Sequence, residues 1–147
     1  MTGTTTPESL LGTARELCAD PPVALEGRWP RAVALLTRQA LELALDEYWD
    51  ERAPGIGKCR AQRPKMLCLH EYLPDHALSR DAHQTWVALS GACHQHAYVL
   101  DPTVAELLGW IARVEDIRAA LLERSEDRRL GLAGVAHDQG GDHAEAD

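Results

Sequence analysis

Apolar residues recur at helical spacing along nearly the whole chain, and the pattern breaks where prolines stand, at Pro21-Pro22, Pro64, Pro74 and Pro102. Proline lacks the backbone N–H that a helix interior needs but suits the first helical position, so each break ends one helix and licenses the next. No segment shows the two-residue alternation of a half-buried strand. The sequence therefore predicts an all-α domain: an antiparallel bundle of four to five helices.

The predicted elements follow. Thr6-Pro7 opens a first helix with Leu10, Leu11, Ala14, Leu17 and Cys18 on one side, ended by Asp20-Pro21-Pro22. A longer helix runs from Pro30 to about Arg52. It is apolar over so much of its surface (Val33, Leu36, Ala40, Leu41, Ala44, Leu45, Tyr48, Trp49) that it should be central. Ala53 to Pro64 reads as a loop, and Pro64 opens a short helix through Leu73. Asp81 to Leu100 reads as a buried helix on Ala82, Trp86, Leu89, Cys93, Ala97 and Leu100. Asp101 is placed to cap a final helix from Pro102 to about Arg124, burying Val104, Leu107, Leu108, Ile111, Val114, Ile117 and Leu121. One domain over residues 6–124 is expected, with residues 125–147 a polar, acidic, disordered tail. The four tryptophans read as packing anchors.

Hydrophobic residues make up 45% of the 147, enough for a core in one domain. The net charge of −8 is uneven: 13 acids face 11 bases between Arg31 and Arg124, while the last fourteen residues hold four acids and no Lys or Arg. That balance argues against broad nucleic-acid binding and leaves room for local basic patches. Cys18, Cys59, Cys68 and Cys93 form no CxxC pair, which points to reduced thiols and a cytoplasmic location. No apolar run reaches the length of a membrane span, and no basic region followed by an apolar run opens the chain.

The densest polar cluster is Ser90, Cys93, His94, His96 and Tyr98. Ser90 and His94, four apart, could pair as nucleophile and base, but no acid or oxyanion hole accompanies them, and a local hydrogen bond is the simpler expectation. His94 and His96 lie about 200° apart on a helix and cannot share an ion. Cys93 and His96 can share a face and are the metal candidates, with Cys68 or His70 to complete a set. Packing outweighs that reading, and no metal or other cofactor is predicted. Lys58, Arg60, Arg63 and Lys65 form a basic stretch able to meet a phosphate or an acidic partner. Arg38 and Glu42, four apart, can form an ion pair.

Arg38-Gln39-Ala40-Leu41-Glu42, on an early central helix, resembles the opening of HEPN (higher eukaryotes and prokaryotes nucleotide-binding) domains. In that family a later helix carries a polar group ending in His, the order that Ser90 to His96 follows before the Asp101-Pro102 helix start. The likeness covers about residues 30–123. It implies a homodimeric helical bundle that is either a metal-independent ribonuclease, often a toxin, or a non-catalytic module for a nucleotide or a partner protein. The ribonuclease motif is an Arg, four to six residues, then His. No Arg occurs between Asp81 and Ala112, so neither His94 nor His96 has that Arg. The resemblance thus favours a degenerate, non-catalytic binding or regulatory module, in which Arg38, Glu42, His94, Tyr98 and the basic stretch are the candidate contact residues. The alternatives are an RNase-type toxin using His94 or His96, with Ser90 as a further catalytic candidate, and a metal protein using Cys93 and His96.

Overall fold

A computed structural model describes residues 3–94 and 99–138, the last six as backbone. Its six helices are α1 (Pro7–Ala19), α2 (Trp29–Arg52), α3 (Pro54–Gly57), α4 (Gln62–Tyr72), α5 (His76–Cys93) and α6 (Val104–Asp138). There is no strand among the described residues, and none of the helices is long and apolar enough to cross a membrane. The fold is all-α.

Local chemistry sets the helix starts. Thr6 and Ser9 cap α1 reciprocally, each side-chain oxygen accepting the other's backbone N–H, with Pro7 at the first position. Before α2 the chain turns through Gly27 at φ 72°, a conformation costly to any residue with a Cβ. The Asp75 carboxylate accepts the N–H groups of Ala77 and Leu78, so α5 begins at His76, earlier than the apolar pattern alone suggests. Thr103 and Glu106 form a second reciprocal cap, which starts α6 at Val104 and displaces Asp101-Pro102 from that role.

The helices alternate in direction. Arg113 pairs with Asp81 at 3.1 Å and Arg124 with Asp75 at 2.9 Å, so α5 and α6 run antiparallel. Arg15 with Glu115, and Arg118 with Glu8, set α1 antiparallel to α6. α2 is central and packs against α1, α5 and α6. It brings Val33, Leu41, Leu45 and Trp49 to a core shared with Leu69, Leu89, Leu107, Ile111 and Ile117. α3 and α4 fill the α2–α5 connection, α4 packing on α5. In the segment expected to be a loop, one helical turn forms at α3. Gly57 lies so close to α2 there that a Cβ would stand 2.5 Å from Asp50 Oδ1.

Three expectations are corrected. α5 stops at Cys93 rather than Leu100: the His94 N–H closes the last turn on the Ser90 and Gly91 carbonyls, and Leu100 is 91% exposed. Val104 and Leu108 are exposed, because they lie to one side of the α6 stripe that buries Leu107, Ile111 and Val114. α6 runs past Arg124 to Asp138, where a tail was expected. The stretch is polar but contains no proline, so nothing in the backbone stops a helix already nucleated. Residues 139–147 lie outside the described residues.

Candidate functional site

The polar cluster picked out from the sequence sits at the end of α5, and His96 and Tyr98 fall outside the described residues. Ser90 Oγ is buried and has no hydrogen-bond partner among the described residues, so the expected Ser90–His94 side-chain bond is not made. His94 is exposed at the helix end. Cys93 is half-buried. Burial pushes its thiol up, and the positive charge of Arg38 opposes that only in part.

Arg38 and Glu42 are committed to holding helices together. Arg38 Nε donates to Glu42 Oε1 at 3.0 Å, and the Trp86 indole N–H of α5 donates to the same oxygen at 2.9 Å. The Trp86 bond ties α2 to the C-terminal half of α5. Such a network helps fix helix register.

The basic stretch divides. Lys58, Arg60 and Arg63 are exposed. Lys65 is 3% exposed on the inner side of α4, its ammonium 2.7 Å from Asp46 Oδ1, which also accepts from the Gln62 amide at 3.2 Å. Lys65 therefore belongs to the packing between α4 and α2, because an unpaired ammonium cannot be buried. Among the described residues no three of His, Cys, Asp and Glu are grouped to hold a metal ion.

A groove of about 490 Å³ lies at the opposite end of α2. Tyr48, Glu51 and Arg52 come from the last turns of α2, Tyr72, Leu73 and Pro74 from the end of α4, and Arg124, Ser125, Asp127, Arg128, Arg129 and Leu132 from α6. The Arg52 guanidinium covers the Tyr72 ring, 5.1 Å from its centroid. Tyr72 in turn meets the buried Trp49 edge to face at 5.1 Å. Burial pushes the Tyr48 phenol up, and the charges of Arg52, Arg124 and Arg128 reach it in the opposite sense. It stays a protonated donor at neutral pH.

Two of the four arginines are neutralised, Arg124 by Asp75 and Arg129 by Glu51. Among the described residues no carboxylate lies within ion-pair distance of Arg52 or Arg128. The groove thus offers two uncompensated guanidinium groups, a phenol donor, and an apolar wall of Tyr72, Leu73, Pro74 and Leu132. Its size suits a small ligand.

Sequence reasoning missed this site because its outer wall is on the segment taken for a tail. The available signal was spacing: Tyr48 and Arg52 are four apart, and Arg124, Arg128 and Leu132 repeat that interval across the supposed domain boundary. Comparison with known proteins finds no matching family model, no matching curated protein and no matching solved structure.

Proposed function

We propose that the chain is a non-catalytic binding or regulatory module of the HEPN-like kind that Arg38 to Glu42 resembles, and that it holds an anionic ligand or partner group in the groove between α2, α4 and α6. The observation that carries this reading is the pair Arg52 and Arg128, which line one groove without carboxylate partners among the described residues. Two guanidinium groups left uncompensated at one concave surface are matched by an anion from outside. The homodimer that the resemblance implies belongs to the same proposal, with the exposed Leu108 and Leu122 of α6 supplying apolar surface for it. A cytoplasmic location is inferred with it, in keeping with four free cysteines.

The test is twofold. Stoichiometric protein incubated with structured and single-stranded RNA should leave both intact, while amide shifts on adding small organic anions should map to Arg52, Tyr72 and Arg128. RNA cleavage abolished by His94→Ala or His96→Ala, in a variant that keeps its melting curve, would replace this reading with the toxin reading.

A further inference from the structure

Resting on the groove as the binding site, we propose that its ligand is a small amphipathic organic monoanion: a single carboxylate carried on an aromatic or branched apolar body. Charge sets the head group. Arg52 and Arg128 are free of carboxylates, but Asp127 stands on the same rim and Glu51 is already matched by Arg129. Two cations opposed by one carboxylate favour a ligand with one negative charge; a polyphosphate would meet Asp127 without enough compensation. A planar carboxylate also matches the forked donors of a guanidinium, with Tyr48 lining the same groove as a neutral donor.

The wall sets the body. Tyr72, Leu73, Pro74 and Leu132 line the groove with carbon, and Leu132 is 62% exposed. A ribose in that position would leave its hydroxyls facing apolar atoms, whereas an aromatic ring would cover Leu132 and lie against the edge of Tyr72. Burying such a body is favourable in proportion to the apolar area covered.

The experiment is calorimetric titration of the full chain with 2-naphthoate as probe. Its neutral alcohol analogue, 2-naphthylmethylammonium, AMP and inorganic phosphate are run beside it. Saturable binding of 2-naphthoate is expected, with the alcohol at least about tenfold weaker and the ammonium not binding, because a charged hydrogen bond is lost or reversed. Arg52→Met and Arg128→Met should each weaken 2-naphthoate at least about tenfold, and Arg52→Lys should recover part of the loss. Should either Met variant fold poorly, Leu132→Glu places a repelling charge on an exposed wall position and should abolish binding without changing the melting curve. Equal binding of acid and alcohol, or 2-naphthoate binding that ignores all three positions, overturns the proposal. AMP or phosphate binding that depends on Arg52 and Arg128, with 2-naphthoate excluded, overturns the ligand class and leaves the module reading standing. No binding by any of the probes sinks both.

Discussion

The indole N–H of Trp86 donates to Glu42 Oε1 across 2.9 Å, and through that bond the half-buried tryptophan of α5 is tied to the ion pair of α2. Trp86 is thus both a packing residue and the partner of a carboxylate. Trp86→Phe keeps most of the ring and removes the donor, so it should cost about 1.5 kcal/mol, the loss of one hydrogen bond to a charged group. Trp86→Ala removes the ring as well and should cost about 3 kcal/mol. Urea unfolding of the two variants and of Glu42→Gln measures both parts. If Trp86→Phe and Trp86→Ala melt alike, the bond rather than the ring holds α5.

Lys65 and Asp46 make a different kind of pair, because the ammonium is buried and the carboxylate is about a third exposed. Removing the acid strands a charge in the interior, whereas removing the lysine returns the acid to water. Asp46→Ala should therefore cost about 3 kcal/mol, and Lys65→Met distinctly less. The double variant should be more stable than Asp46→Ala alone. Chemical denaturation of the three proteins decides it; a Lys65→Met variant as unstable as Asp46→Ala would mean the pair contributes net stability rather than satisfying its own burial.

Tyr48 gives a pH dependence whose sign is fixed by its surroundings. Burial raises its folded-state value above the ordinary tyrosine value, outweighing Arg52 and its neighbours. A raised group contributes stability that is fully present below its unfolded value, about pH 10, and is lost as pH rises through the folded value. The chain should therefore lose stability in the strongly alkaline range beyond ordinary tyrosine titration, and part of its phenolate absorbance should appear late. Tyr48→Phe should remove the late component. Titration of all tyrosine absorbance at the ordinary value in the folded wild type would contradict the buried placement.

Much of the bundle was legible because prolines and caps are local. Thr6, Pro7 and the run from Pro30 to Arg52 declare their helices within a few residues. What failed was non-local. Leu100 fits the spacing of Trp86 and Cys93, yet the helix closes at Cys93, and periodicity alone could not show that. Lys65 looks like one more basic residue beside Lys58, Arg60 and Arg63 until Asp46 is brought to it by packing. Arg38 and Glu42 were visible as an i,i+4 pair, but their third partner, Trp86, lies 44 residues away. The groove was hidden for the same reason: Arg52 and Arg128 line it together only because packing sets the end of α2 beside α6.

The stretch of α6 beyond Ser125 should be separable from the bundle. The last core residue on that helix is Leu121, and the described side chains after it are half-buried or exposed. The ion pair that ties it to the bundle is the surface pair of Arg129 with Glu51, a kind of contact that contributes little. A chain ending at Ser125 should keep its helical circular dichroism per remaining residue and melt within a few degrees of the parent. It would nonetheless lack Arg128, Arg129 and Leu132, leaving Arg52 and Tyr72 on an open face, and 2-naphthoate binding should disappear. Cooperative unfolding lost on truncation would show that this segment belongs to the core. Binding retained by the shortened chain would move the ligand site off the groove.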